Sequence, residues 1–464
     1  MSMVNPTITI IGTGYVGLTT SAVLSNAGYK VYAVDTDQMK IDTMKEGKAY
    51  FFERGLDDFV RNGVESGRLM PTTSYEDSVP HADIIFSCVG TPSKDDGSSN
   101  LDYVYCAAES SAKCMKDGCI YVQKSTVPVG TGRGVIARIG NVNPNLKFDY
   151  VSNPEFLAEG SALFDALNID RIVVGGDNHK ALESVLRIFK KVDDFSKKLD
   201  HSKYKAYVGF YSGKVVNIKD SDFSQREVRT SLESAELVKV AANSFLALKI
   251  SFANSVAMLC DTVGADVTEV MNGIGLDHRI GRAMLYSGLG WGGGCFPKDV
   301  RGLISVYKEN NLDSPIINAT VEVNNGMVAY VVKKLQRIVA IGSCRIAILG
   351  LSFKPGTSDI RSSQSILLAN RLFDMGAEVV TFDPQANREA RKELSKGVEI
   401  CTSIEEALKD SDVVVIATEW KEFLEYDWKS ARELVSGNVL FDARNRLDKK
   451  ILTDIGFKYV GIGR

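Results

Sequence analysis

The stretch Ile8-Thr9-Ile10-Ile11-Gly12-Thr13-Gly14-Tyr15-Val16-Gly17 decides how this chain folds. A β-branched run ends in G-x-G-x-x-G, residues 18–27 have helical composition, and residues 29–35 form a second apolar run. The order is strand, glycine turn, helix, strand. In that setting Gly12 permits the tight turn, Gly14 lets the backbone approach a pyrophosphate, and Gly17 lets the helix pack closely on the strand. The helix N-terminus then faces the phosphates. On its own the pattern is weak, since a glycine turn also occurs in unrelated α/β proteins. It gains from Asp35, 18 residues beyond Gly17 at the end of the second strand, where a carboxylate accepts hydrogen bonds from a ribose diol and repels a 2'-phosphate. That favours NAD over NADP. Asp37 is the poorer candidate for the same task, because it lies past the strand end.

Working outward, apolar runs at residues 82–89, 119–123 and 150–152 alternate with helix-like stretches, which predicts a parallel, doubly wound sheet. The last third repeats the plan. Residues 345–351 are an apolar strand with a glycine turn, residues 376–383 (GAEVVTFD) echo residues 28–35 (GYKVYAVD), and residues 411–418 (SDVVVIAT) echo residues 82–89 (ADIIFSCV). Between the repeats, residues 231–263 contain no proline or glycine and read as one helix of roughly 45 to 50 Å at 1.5 Å per residue. Such a helix can bridge two lobes and serve as a dimer seam. The predicted fold is therefore α/β, with two Rossmann-like doubly wound parallel-sheet domains joined by a long central helix. Its expected divisions are an NAD-binding domain over residues 1–230, a central helical dimerisation region over 231–335, and a second Rossmann-like domain over 336–464. Residues 194–229, polar and weakly periodic, read as an inserted, partly ordered excursion from the first lobe.

Composition bounds the function. The chain has 464 residues, 44% hydrophobic and 24% charged, enough for two or three domains with their own cores. Lysine and arginine total 55 against 58 acids, a net charge of −3 that offers no basic field to nucleic acid or anionic lipid. Eight cysteines form no C-x-x-C pair, and His81, His179, His201 and His278 cluster neither with them nor with each other. No zinc site, no other metal and no disulfide scaffold is expected, and a reducing cytosol is favoured. No basic segment precedes residues 8–11, so no signal peptide is expected and the protein is assigned to the cytoplasm. The longest apolar region, residues 245–260, is broken by Lys249 and Asn254 and falls short of the ~20 apolar residues that cross a bilayer. It reads as a buried helix, and no membrane partner is expected.

The segment Gly288-Leu-Gly-Trp-Gly-Gly-Gly-Cys295-Phe-Pro-Lys-Asp299 carries five glycines in seven residues, whose backbone N–H groups can cradle a phosphate or sugar. Pro297 suits the first position of a helix. Cys295 would precede that helix, where the dipole and Lys298 favour thiolate, with Asp299 one turn on. For the other seven cysteines the ordinary reading, a small buried hydrophobe, stands. Lys239 and Asn243 lie four apart on the long helix, hence on one face. A solvated face is the plain reading for a lysine alone, but Ala241, Ala242, Phe245 and Leu246 around Asn243 favour burial and a polar task. Residues 152–160 (SNPEFLAEG) read as a strand end, an Asn cap, a proline at the first helical position and two glutamates, Glu155 and Glu159, one turn apart. Acids in a first turn often only satisfy the helix dipole, whereas a position at the carboxyl edge of a nucleotide lobe suits a functional role equally.

Taken in order, residues 12–17, Val89-Gly90-Thr91-Pro92, residues 125–131, 152–160, 236–254, 288–299 and 353–361 resemble the UDP-glucose/GDP-mannose dehydrogenase family, most closely its UDP-glucose 6-dehydrogenase branch. The resemblance spans nearly the whole chain. It implies two Rossmann-like domains joined by a long helix at a dimer core, and a four-electron oxidation of a nucleotide-sugar C6 alcohol to a carboxylate with two NAD per substrate. By the same resemblance Lys239, Asn243 and Asp299 surround the reacting carbon, Cys295 carries a thiohemiacetal and then a thioester, Glu155 is the base for hydrolysis, and Thr126 places water or cofactor. Gly12, Gly14, Tyr15, Val16, Gly17, Asp35, Lys40, Thr91, Thr126, Glu159, Lys298 and Arg361 are the implied NAD contacts. The UDP-sugar contacts implied are Glu155, Phe156, Leu157, Lys239, Asn243, Leu285, Tyr286, Gly288, Gly292, Phe353, Lys354 and Arg444. Arg279 is implied to reach the active site of a neighbouring subunit, so a homodimer or higher homo-oligomer is expected.

Two departures stand out. Glu53-Arg54-Gly55-Leu56 replaces the family's usual Glu-Pro-Gly-Leu, and residues 194–229 are longer than the family usually carries. Competing readings are the same chemistry on GDP-mannose or a UDP-N-acetylhexosamine, a two-electron 6-phosphogluconate-type dehydrogenase, which needs neither the cysteine nor a second nucleotide lobe, and a non-catalytic nucleotide-sugar sensor. The last is disfavoured because Cys295, Lys239, Asn243, Asp299 and Glu155 occur together.

Overall fold

The computed structural model describes residues 5–94, 96–204 and 222–464. The chain divides into two units, one holding the described residues up to Ala242 with Arg301–Asn311, the other Asn243–Val300 with Leu312–Arg464. The first unit is built on β1 (Ile8–Ile11), β2 (Val31–Val34), β3 (Leu69–Thr72), β4 (Ile84–Ser87), β5 (Cys119–Gln123), β6 (Phe148–Ser152), β7 (Ile172–Gly175) and β8 (Glu227–Thr230). Their order in the sheet is β3-β2-β1-β4-β5-β6-β7-β8. The first six strands are parallel, while β7 and β8, parallel to each other, run against them. The order reverses between β1 and β4, the place where doubly wound sheets open a crevice beyond their carboxyl ends.

The strands read as continuous apolar runs because both faces of the sheet are covered. Ile8, Ile10, Ile84, Phe86, Ile120 and Val122 pack into one core, and the alternate residues Ile11, Ile85, Cys119 and Tyr121 into another. The second unit repeats this with β9 (Arg345–Leu349), β10 (Glu378–Phe382), β11 (Glu399–Ile400), β12 (Val413–Ile416), β13 (Val439–Asp442) and β14 (Lys458–Gly461), in the order β11-β10-β9-β12-β13-β14, all parallel. That is the order of the first six strands, so the internal repeat read from the sequence is a repeat of topology.

The long helix spans Leu232–Val263, 32 residues, and belongs to the first unit through Ala242 and to the second from Asn243. By length and composition alone it is the one helix among the described residues that could cross a bilayer. Its buried polar residues Glu236, Lys239, Asn243, Ser251 and Asn254 mark it as a core helix of a folded unit instead.

Two local expectations are corrected. Residues 153–158 are irregular and the next helix is Ala162–Leu167, so Asn153 and Pro154 do not open a helix. The reason lies in the Asn153 side chain, which donates to the Val173 carbonyl at 2.8 Å and ties the loop to β7. In the polar stretch 194–229, the helix His179–Ser196 runs into its start and β8 forms its end, which makes the flanks part of the fold; residues 205–221 lie outside the described residues.

Candidate active site

In the first unit the glycine turn follows β1. A Cβ at Gly17 would lie 1.8 Å from the Gly12 carbonyl oxygen, so helix and turn touch there as the sequence requires. Gly14 differs: a Cβ would meet no protein atom within 4 Å, so packing supplies no reason for glycine. The open room stands at the N-terminus of the helix Tyr15–Asn26, which no side chain caps. Asp35 Oδ2 accepts from the Thr13 amide and hydroxyl, both at 2.8 Å, and from Lys40 at 3.3 Å, while Oδ1 accepts from the Asp37 amide. Burial alone would raise its pKa, but the Thr13 and Asp37 amides, the Thr13 hydroxyl and Lys40 together hold the carboxyl below its usual range. Asp37 is spent as the cap of the helix Gln38–Lys45, which leaves Asp35 as the acid facing the turn. Tyr15 stacks on Phe51 with centroids 3.8 Å apart, Val16 packs against the core, and Lys40 lies over the Tyr50 ring. The unclaimed space at Gly14, the uncapped helix and the ionised acid at the end of β2 fit an NAD molecule.

Beyond the carboxyl ends of β4, β5 and β6 lies a second cluster. The Thr91 hydroxyl donates to the Thr126 carbonyl at 3.0 Å and ties two strand-end loops together. Glu155 Oε1 accepts from the Phe156 and Leu157 amides at 2.6 and 3.0 Å, and Oε2 pairs with Lys124 at 2.6 Å. The Phe156 ring carries the Arg171 guanidinium 3.9 Å and the Lys239 ammonium 5.2 Å from its centroid. Lys239 is buried, and Glu159 is partly buried in the same loop as Glu155. Lys124 and Arg171 escaped the sequence reading. The signal for Lys124 was a lysine directly after an all-buried strand; Arg171 precedes β7, a strand outside the repeated parallel plan that the sequence reading followed.

In the second unit Cys295 is exposed at the start of the helix Phe296–Glu309, one residue earlier than Pro297 alone suggested, and its carbonyl accepts from the Asp299 amide at 2.9 Å. Asp299 is buried, with Oδ1 held by Lys298 and Oδ2 by Asn243, both at 2.6 Å. The glycine run before Cys295 is partly tied down by the protein itself. The Gly288 amide donates to Asn254, the Trp291 amide to Asn324 and the Gly293 amide to the Arg361 carbonyl. Close packing requires glycine at Gly292, where a Cβ would lie 2.2 Å from the Ser362 carbonyl oxygen, while at Gly294 the Arg361 guanidinium fills the room a Cβ would take. The loop that follows β9 is thus laid directly against the segment leading to Cys295.

The remaining expected contacts of this unit fall in three places. Phe353 packs on Gly293 with Lys354 above its ring, and Arg361 is chelated by Asp359. Arg444 is buried and donates to the carbonyls of Ala417, Gly290 and Phe353 while pairing with Glu419, so it bolts the two loops together. Arg279 stands on an exposed turn with Asp277, and Leu285 and Tyr286 follow on the same connection. The position matching Asp35 in this lobe is Asp383, whose Oδ2 accepts from the Leu351 and Ser352 amides, the Ser352 hydroxyl and the Trp420 indole. With Asp383 1% exposed, that carboxylate is closed to a ribose.

Models of the UDP-glucose/GDP-mannose dehydrogenase family match the chain three times: its NAD binding domain over residues 6–193, its central domain over 233–326 and its UDP binding domain over 347–449. UDP-glucose 6-dehydrogenase YwqF of Bacillus subtilis is 38% identical over 463 residues, covering 98% of this chain and 97% of that protein. A UDP-glucose 6-dehydrogenase of Rhizobium meliloti is 39% identical, covering 98% and 99%. The solved UDP-glucose dehydrogenase of the archaeon Pyrobaculum islandicum superposes with a TM-score of 0.86 at 33% identity, covering 99% of this chain and 98% of that one. The chain belongs to the UDP-glucose/GDP-mannose dehydrogenase family, and it is an NAD-dependent nucleotide-sugar dehydrogenase.

Proposed function

We propose that the substrate is UDP-glucose and that the chain oxidises its C6 alcohol to the carboxylate of UDP-glucuronate, with loss of four electrons. The observation that carries the four-electron course is an exposed Cys295 beginning a helix whose next turn presents Asp299 between Asn243 and Lys298; the choice of UDP-glucose is supported by the relatives named UDP-glucose 6-dehydrogenase. A two-electron dehydrogenase has no use for that thiol. Bound NAD supplies the hydride acceptor, twice per substrate, and is held by Gly12, Gly14, Gly17 and Asp35 with Tyr15, Val16, Lys40, Thr91, Glu159, Lys298 and Arg361 around it. Lys239, Asn243 and Asp299 orient the reacting carbon, stabilise negative charge on its oxygen and move the hydroxyl proton. The Cys295 sulfur adds to the aldehyde carbon; loss of a second hydride leaves a thioester, and water replaces the sulfur. In that last step Glu155 takes the proton of the attacking water, with Thr126 placing it. Phe156, Leu157, Leu285, Tyr286, Gly288, Gly292, Phe353, Lys354 and Arg444 shape the UDP-sugar site. We further propose a central segment over residues 231–335 that pairs two copies of the chain, with Arg279 reaching the partner's site, and a cytoplasmic location.

A panel of UDP-glucose, GDP-mannose and UDP-N-acetylhexosamines, followed by NADH absorbance, tests the substrate. Turnover of UDP-glucose with two NADH per substrate is expected. Activity confined to GDP-mannose or an N-acetylhexosamine overturns the sugar, one NADH per substrate overturns the four-electron course, and binding without turnover leaves a sensor. Cys295→Ser should stall near the aldehyde, whereas Lys239→Ala should slow every stage. Full wild-type turnover by Cys295→Ser would refute the covalent route.

A further inference from the structure

Lys124 is an ammonium taken almost wholly out of water: its side chain is 3% exposed, directly past β5. Among the described residues Glu155 is the one acid paired with it, at 2.6 Å, and the Asn153 amide oxygen lies 3.3 Å away. On the other side the charge rests over the Phe189 ring, 4.9 Å from its centroid. The backbone allows little play, because the Lys124 amide donates to the Ser87 carbonyl and the Asn153 amide to the Gln123 carbonyl, both at 2.9 Å. A buried ion pair of this kind adds little net stability, yet removing one partner strands an uncompensated charge. Its presence at the carboxyl edge of a nucleotide sheet therefore asks for a functional reason.

Glu155 supplies one. A carboxylate offers about four lone-pair sites, and Lys124, the Phe156 amide and the Leu157 amide occupy three of them. The side chain is 15% exposed, so one edge remains for a water molecule. Cys88, the neighbouring thiol, has its pKa pushed up to about 12 by burial and brings no competing negative charge.

We propose that Lys124 is a positioning residue for thioester hydrolysis: its buried ammonium holds the Glu155 carboxylate in one rotamer, with its free edge presented to the attacking water. This rests on the reading of Glu155 as the hydrolytic base. The water gives a proton to Glu155 and its oxygen to the acyl carbon, and the Cys295 sulfur leaves as thiolate. Lys124 exchanges no proton in the step.

The test compares Lys124→Met, Lys124→Gln, Lys124→Arg and Glu155→Gln in the full-length enzyme with NAD and UDP-glucose. For Lys124→Met, kcat should fall about a hundredfold, in the range expected when a proton-transfer group loses its aim, while KM for both substrates stays within about threefold. The burst of two NADH per active site should persist, and intact-protein mass should show the acyl group retained on Cys295. Arginine should restore much of the rate. Should the methionine variant fail to fold, glutamine, which keeps a donor and drops the charge, is read in the same way. Wild-type hydrolysis in the neutral variants, or a lost rate with no acyl-enzyme, overturns the role of Lys124. Wild-type hydrolysis by Glu155→Gln overturns the base itself, so the two failures are distinguishable.

Discussion

Glu236 is a single side chain that holds two elements together. It sits in the first turns of the long helix, 2% exposed, and accepts the Gly130 and Gly132 amides at 2.7 Å each. It therefore caps the helix Thr131–Val142 from outside, in the place an anion would take. Burial pushes its pKa up to about 7, against the two amide bonds and Arg133 that pull down and Glu233 that pushes up. The folded state thus binds this proton more tightly than the unfolded state, whose value is about 4.5. The stabilisation is full below the unfolded value and lost as pH rises through 7, roughly 3 kcal/mol over that window. The Tm of the wild type relative to Glu236→Gln should accordingly fall between about pH 5 and pH 8. A Tm gap independent of pH in that range would contradict it.

At the scale of elements, one motif contains glycines of two kinds. Gly17 is glycine because the turn and helix of its own lobe collide otherwise; Gly14 has no such reason inside the protein. Gly17→Ala should lower thermal stability markedly, with a strain well above the ~1 kcal/mol of a simple helix substitution. Gly14→Ala should keep the wild-type Tm without ligand and lose most NAD affinity, read by titration of cofactor fluorescence. Unchanged NAD binding in Gly14→Ala would show that the open room is not the cofactor's. The second lobe makes the contrast within the same chain, since its matching acid, Asp383, is saturated by six donors, one of them the Trp420 indole.

For the whole molecule, the unsatisfied feature is apolar. Phe245, Phe252 and Leu259 recur every seven residues on the long helix, with Val263 after them, at 60%, 49%, 59% and 64% exposure. A stripe at that spacing follows one face of a helix, and a second copy of the same face is the occupant that would cover it. Phe252→Asp should shift the protein to a monomer in sedimentation velocity and abolish most activity if Arg279 completes the partner's site. A dimer that persists in this variant would place the seam elsewhere.

Much was legible because it depends on neighbours in sequence. The β1 run, the glycine turn, Asp35, the 32-residue helix and the repeated strand plan each follow from period and composition. β7 and β8 are no shorter than β1, at four residues each, but they run against the six parallel strands and fall outside the repeated strand-and-helix plan, and β8 (EVRT) lies at the end of a polar stretch that hid it. Residues 152–160 were misread as a helix start because capping preference is local, whereas the Asn153 amide is claimed by β7 some 20 residues on. The glycine run before Cys295 shows the same limit: spacing reveals that side chains are missing, and only packing reveals what fills part of the room. Sequence by itself determined the two lobes and the long helix, since these are set by local preference and period. Tertiary structure alone decided that Lys124 faces Glu155, that Asn243 and Lys298 clamp Asp299, and that Arg361 lies on Gly294, because such contacts join residues whose separation along the chain carries no signal.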